Sequence, residues 1–78
     1  MDIKILGPGC ARCAQLEART SEAVGSLGLD ASITKVTDVA EIASYGVMAT
    51  PALVVDGVVM ASGRIPTARR LRELLTAT

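Results

Sequence analysis

Apolar residues along this chain fall into two rhythms. Short unbroken runs alternate with longer stretches in which apolar residues recur every three or four positions. The first rhythm predicts strands and the second predicts helices. Ile3–Leu6 is the first run; Gly7-Pro8-Gly9 ends it, so a strand feeds a tight loop. Between Cys10 and Leu27, residues Cys13, Leu16, Thr20, Val24 and Leu27 fall on one helical face. Arg12, Gln15, Arg19 and Glu22 fill the other, and Gly28 is a suitable stop. Ala31–Val36 predicts a second strand, and strand–helix–strand in so short a span implies a right-handed crossover between parallel strands. Asp38 and Glu41 have capping-box spacing. The helix they open should turn Val39, Ile42 and Ala43 inward and stop at Gly46. Val47–Pro51 reads as a loop held extended by its proline. Ala52–Val55 and Val58–Ala61 are joined by Asp56-Gly57, a strong hairpin signal. After Ser62-Gly63, Pro66 suits the first turn of a last helix with the stripe Ala68, Leu71, Leu74 and Leu75. The order is βαβαββα, an α/β chain.

Composition narrows what such a chain can do. With 78 residues, 50% of them hydrophobic and 21% charged, residues 1–78 are expected to form one folded domain. There is no Phe or Trp and a single Tyr, so the core must be aliphatic. A domain this small is usually marginal. Eight basic residues balance eight acidic ones, and base-stacking aromatics are missing, which argues against nucleic acid and acidic membranes as partners. The apolar run Ala52–Val55 is broken by Asp56-Gly57, far short of a membrane span. Met1-Asp2-Ile3-Lys4 lacks the basic start of a signal peptide, so a cytoplasmic, reducing location is expected. The absence of His removes imidazole metal ligands and His-based nucleophile activation.

What remains chemically distinctive is Cys10-Ala11-Arg12-Cys13. A disulfide across so short a loop constrains the unfolded chain little, so the pair is a poor staple. It sits at the junction of the first strand and first helix, where free N–H groups and the helix dipole stabilise an anion. Thiolates so placed have a pKa of about 3.5–7.5, against about 8.5 unperturbed. Cys10 should face solvent at the first turn, with Arg12 adding positive charge nearby. Cys13, one turn on, should lie covered on the apolar face. That division suits Cys10 to attack a disulfide and Cys13 to resolve the mixed disulfide. Two other readings compete. The cysteines could be core residues, although Gly-Pro-Gly before Cys10 argues for exposure. Or the two thiolates could bind a soft ion such as Cu(I), as a metal chaperone or sensor would. They cannot alone complete a tetrahedral zinc site, since the sequence offers no further Cys and no His.

Three segments together resemble the thioredoxin-like superfamily, in particular its small, glutaredoxin-sized redox-active disulfide proteins. They are Ile5-Leu6-Gly7-Pro8-Gly9-Cys10-Ala11-Arg12-Cys13, residues 45–57 with Thr50-Pro51 and the Asp56-Gly57 turn, and Ser62-Gly63-Arg64. The resemblance covers nearly the whole chain. It implies a minimal thioredoxin/glutaredoxin-like fold: a four-stranded mixed sheet in the order 2-1-3-4 with three helices, strands 1 and 2 parallel, and the hairpin antiparallel to them. It also implies a thiol–disulfide oxidoreductase with Cys10 and Cys13 catalytic. Pro51 would carry a cis peptide bond, and Thr50, Pro51 and Arg12 would form the substrate-binding set. The substrate would be a protein or small-molecule disulfide and the donor a reductase or dithiol. No metal or cofactor is implied, and a monomer is the simplest state. Heavy-metal-associated domains also place C-x-x-C after a first strand, but they run βαββαβ and end in a strand. The chain departs from its relatives as well. Ala-Arg stands between the cysteines where thioredoxins have Gly-Pro, Gly9 replaces the preceding Trp, and Asp2, Asp30 and Asp56 do not match the buried acid of thioredoxin. Ser62-Gly63 offers one glycine where glutaredoxins offer two.

Four features are less defined. Residues 64–78 carry four arginines against one glutamate, a net +3, while the rest of the chain carries −3. This basic end is either a solvated helix face or a surface for an acidic partner. Lys4, in an apolar strand, should snorkel at an edge or loop end. Tyr45 reads as packing at a helix end, and Met48 as either core or a contact flanking the cysteines.

Overall fold

The structure, a computed structural model, describes residues 1–8, 11–47 and 49–76. Strand β1 (Asp2–Leu6) lies in the middle of the sheet and separates two apolar layers. Its pleat sends Ile3 and Ile5 to one side, and Lys4 and Leu6 to the other. Helix α1 (Ala11–Leu27) returns the chain to β2 (Ser32–Val36), which pairs parallel with β1 from Asp2↔Ser32 to Leu6↔Val36. Helix α2 (Val39–Ser44) leads to β3 (Ala52–Val55), antiparallel to β1, and then to β4 (Val58–Ser62), antiparallel to β3. Helix α3 (Ala68–Thr76) follows. The sheet order is β2-β1-β3-β4, as the resemblance implies; of the expected antiparallel hairpin only β3 opposes β1 and β2, because the tight turn after β3 sends β4 back in their direction.

The larger layer holds Ile3, Ile5, Leu53 and Val55 from the sheet, Leu16 and Ala23 from α1, and Leu71 and Leu75 from α3. The smaller holds Leu6, Val36, Ala52 and Val54 against Ile42 of α2. β3 is therefore buried on both faces, which is why its four residues form a continuous apolar run without alternation. Each fully buried aliphatic side chain contributes about 1.5–3 kcal/mol. With no large aromatic to anchor it, the fold depends on many such contributions. Thr20 is also fully buried. Its hydroxyl donates to the Leu16 carbonyl at 2.8 Å, which satisfies a group that would otherwise be costly inside the core.

Several details differ from the sequence reading. On α1 the buried face includes Ala23, while Val24 and Leu27 are only partly covered. On α2 only Ile42 is buried; Val39 is 73% exposed and Ala43 is exposed. A six-residue helix has room for one contact turn, so its N-terminal valine is left in solvent. Asp38 does cap it, accepting from the Ala40 N–H at 3.1 Å. Pro66 precedes α3, and Thr67 caps that helix instead, accepting from the Arg70 N–H at 3.2 Å. Ala68 is exposed; Leu71 and Leu75 carry the contact. The hairpin turns at Asp56 (φ 49°) and Gly57 (φ 83°), both left-handed, as a tight two-residue turn requires. Its register slips by one residue between Leu53 and Val54: Leu53 faces Ala61 and Val54 faces Val59, leaving Met60 as the extra residue of a bulge.

Lys4 is not at an edge. It sits on the central strand, and its ammonium donates to the Tyr45 hydroxyl at 2.9 Å while lying 5.6 Å from the ring centroid. That hydrogen bond, helped by the carboxylates of Asp2 and Glu41, raises the Lys4 amine above its ordinary pKa. Tyr45 also packs on the smaller apolar layer, so one side chain closes that layer and satisfies the lysine. No helix among the described residues is long and apolar enough to cross a membrane.

Candidate active site

Strand β1 ends at Leu6, and the next residue, Gly7, donates its N–H to the Val36 carbonyl at 2.9 Å. This bond continues the pairing with β2 one residue past the strand and fixes where the loop begins. Gly9 and Cys10 lie outside the described residues, as does Met48. In the sequence Cys10 immediately precedes Ala11, the first residue of α1. The N-terminal turn of α1 carries no acidic side chain, so no carboxylate there opposes the positive end of the helix dipole.

Cys13 is the third residue of α1 and is buried, 5% exposed, on the face directed at the sheet. Its sulfur rests directly on Gly7. A Cβ at Gly7 would overlap Cys13 Sγ, lie 3.2 Å from Cys13 Cβ, and come within 3.9 Å of Thr50 Cβ. Gly7, Cys13 and Thr50 therefore meet at one point, although they are far apart in sequence. The sequence reading expected Cys13 covered and Thr50 near it. It missed Gly7, whose glycine signal was absorbed by the turn reading of Gly-Pro-Gly.

The Thr50–Pro51 peptide bond is cis. Pro51 is fully buried and Thr50 half-buried. The turn around them is held from β4 and the residue after it. Gly63 donates its N–H to the Pro51 carbonyl at 2.9 Å, and the Ser62 hydroxyl donates to the Ala49 carbonyl at 3.1 Å. Arg12 is exposed and donates from its guanidinium to the Gly63 carbonyl at 3.4 Å. Arg12 thus spans from the cysteine motif to the segment that brackets Thr50-Pro51. The role of Ser62-Gly63 as the outer wall of that turn depends on contacts 12 residues and more apart, which no local pattern reveals.

Gly63 has a left-handed φ of 76°, and a Cβ there would come 2.8 Å from Ala49 Cβ. Gly63→Ala is therefore expected to destabilise the fold by about 1–2 kcal/mol from the backbone alone. At about 4–8 °C per kcal/mol for a chain of this size, far-UV circular dichroism should show a clear loss in Tm. An unchanged Tm would mean that the segment relaxes freely away from Ala49.

Among the described residues, no group of three or more His, Cys, Asp or Glu side chains is placed to hold a metal ion.

Comparison with known proteins agrees with this architecture. The family model described as "Thioredoxin domain" matches residues 1–76. The chain is similar to a protein named thioredoxin from Methanocaldococcus jannaschii, 44% identical over 73 residues that cover 94% of this chain and 84% of the relative. It is also similar to a protein named thioredoxin from Methanothermobacter thermautotrophicus, 38% identical over 76 residues covering 97% of this chain and 99% of the relative. With a sheet ordered β2-β1-β3-β4, three helices and relatives matched over nearly their whole length, the chain belongs to the thioredoxin family of thiol–disulfide oxidoreductases.

Proposed function

We propose that the protein exchanges disulfides through Cys10 and Cys13, with Cys10 as attacking sulfur and Cys13 as resolving sulfur. The observation that carries this reading is the seat of Cys13: buried at the start of α1, its sulfur against Gly7 and beside Thr50. A buried sulfur is shielded from large substrates but remains in reach of a neighbour three residues back in the chain.

The chemistry balances without a cofactor. The Cys10 thiolate attacks one sulfur of a substrate disulfide; a new S–S bond forms and the substrate's other sulfur leaves as thiolate. Cys13 loses its proton and attacks the Cys10 sulfur. The mixed disulfide breaks, the second substrate thiolate leaves, and Cys10–Cys13 is the new disulfide. Two electrons pass from the protein dithiol to the substrate, and at neutral pH the two substrate thiolates are protonated, one by the proton Cys13 gives up and one from solvent. A dithiol donor reverses the change on the protein. Thr50 and Pro51 lie where an extended substrate segment would lay its backbone, a short form of strand addition. Arg12 contributes positive charge beside the motif while bracing the Gly63 segment. A reducing cytoplasm fits this cycle, because the dithiol is then the resting form.

Alkylation mapping tests the division of roles. In the reduced protein, iodoacetamide is expected to modify Cys10 first, with a pH midpoint below the ordinary thiol value of about 8.5. Cys13 should react only after unfolding, read by peptide mass. Equal modification of both cysteines in the folded protein would remove the basis for assigning attack to one and resolution to the other.

A further inference from the structure

Beside the bracketed turn, a groove of about 530 Å³ runs between β4 and the start of α3. Its apolar wall includes Ile65, Pro66 and Leu74, and its charged side chains are Arg64 and Arg70, with no carboxylate among the described residues that line it. Glu73, the nearby acid on α3, is shared between Arg69 at 3.5 Å and Arg70 at 3.2 Å, so it cannot neutralise both. Arg64 has no ion-pair partner among the described residues. The groove therefore keeps a surplus of positive charge over an apolar floor. This is where the +3 of residues 64–78 becomes a localised feature.

The groove adjoins the candidate active site at Ser62. Ser62 lines it and, through its hydroxyl, holds the Ala49 carbonyl of the turn that carries Thr50 and Pro51. A polypeptide whose disulfide reaches the cysteines and whose backbone lies along Thr50 has a direct path past Ser62 into this groove. We propose that the groove takes an acidic, extended segment of a protein disulfide substrate, with its carboxylates toward Arg64 and Arg70 and an apolar side chain on Ile65 and Leu74. The inference rests on the oxidoreductase reading and adds a substrate class to it: partners bearing Asp or Glu beside the reactive disulfide.

Both arginines are solvent-facing, so each charge pair is worth little individually, and two together give a preference of about fivefold. The test uses synthetic peptide disulfides that differ only in the residues flanking the cystine, which are Glu in one peptide and Lys in the other. The Glu peptide is expected to be reduced with a kcat/KM about fivefold above the Lys peptide, and the ratio should shrink toward one at high salt. In an Arg64→Gln/Arg70→Gln double variant with an unchanged melting curve, the ratio should collapse in the same way. A second readout is independent of sulfur chemistry. A fluorescein-labelled Glu peptide with Ser in place of Cys should bind the wild-type chain, by polarisation, more tightly than the double variant. Equal rates for the two peptides, or a preference that persists in the double variant, would overturn the inference. Binding that depends on the two arginines without any disulfide reduction would uphold the groove and count against the redox reading instead.

Discussion

Cys10→Ser is expected to reduce catalysed disulfide reduction by about a thousandfold or more, to the background rate of the donor, because the bond-forming sulfur is gone. Cys13→Ser should also stop turnover, but in a different place. Its Cys10 still attacks, and with no resolving sulfur the substrate stays attached. A protein incubated with hydroxyethyl disulfide should then gain the mass of one mercaptoethanol adduct, located on Cys10. The asymmetry follows from placement: Cys13 is buried against Gly7 and cannot take Cys10's part in meeting a substrate. The two variants should retain folded circular dichroism, since serine replaces sulfur at similar volume. If Cys10→Ser turned over at the wild-type rate, or if its remaining Cys13 captured the adduct as readily, the roles would be wrong.

The second large effect concerns a residue with no functional group. Gly7→Val would place its Cβ on Cys13 Sγ and its branches beyond it. The sulfur cannot stay where it is, because protein interiors have no slack for a methyl group. Overpacking of this kind costs about 1–3 kcal/mol. The functional loss should exceed the stability loss. A disulfide needs its two Cβ atoms about 3.5–4.5 Å apart, and displacing Cys13 by even part of that span puts Cys10 out of reach. The Gly7→Val variant is expected to melt several degrees lower and to resolve a preformed Cys10 mixed disulfide much more slowly than wild type. Gly7→Ala should lie between them. Wild-type resolution in Gly7→Val would show that the sulfur does not depend on its glycine seat.

These two sites differ in how far the sequence exposes them. Cys13 is legible because helical spacing places it in line with Leu16 and Thr20, both of which are buried. The hairpin is legible because Asp56-Gly57 is one of few residue pairs that tolerate two left-handed conformations in succession. The parallel β1–β2 pair is legible because a helix of this length between two short strands permits little else. Gly7 is not legible: a glycine in Gly-Pro-Gly is explained by the turn, and its contact with Cys13 appears only when α1 folds back on β1. Lys4 and Tyr45 are 41 residues apart and meet only because β1 is central and α2 ends above it. The misreading of Val39 and Ala43 has a different cause. α2 makes under two turns, so its spacing cannot distinguish a contact face from its neighbours. The bulge at Met60 is hidden because Val58–Ala61 is apolar throughout, and register leaves no trace where polarity does not alternate.

The bracket around Thr50 and Pro51 is the part of the site furthest from any local pattern. Three hydrogen bonds build it: Gly63 to Pro51, Ser62 to Ala49, and Arg12 to Gly63. They link the cysteine motif, the cis-proline turn and the end of β4 into one surface. The sequence reading had Arg12, Thr50 and Pro51 as a set. The structure adds that Arg12 reaches Pro51 through the backbone of Gly63.

The central claim is a reversible dithiol–disulfide couple between Cys10 and Cys13. Equilibrating the purified protein in a graded series of thiol–disulfide buffers, quenching by alkylation and weighing the products tests it directly; the absence of Trp makes an optical readout a poor choice. A single two-electron transition is expected, with a midpoint in the range of about −180 to −300 mV, where exchange enzymes of this kind operate. A protein that takes up alkylating agent at both cysteines across the whole series, or that forms the bond only after a tightly held metal is stripped from it, would contradict the account.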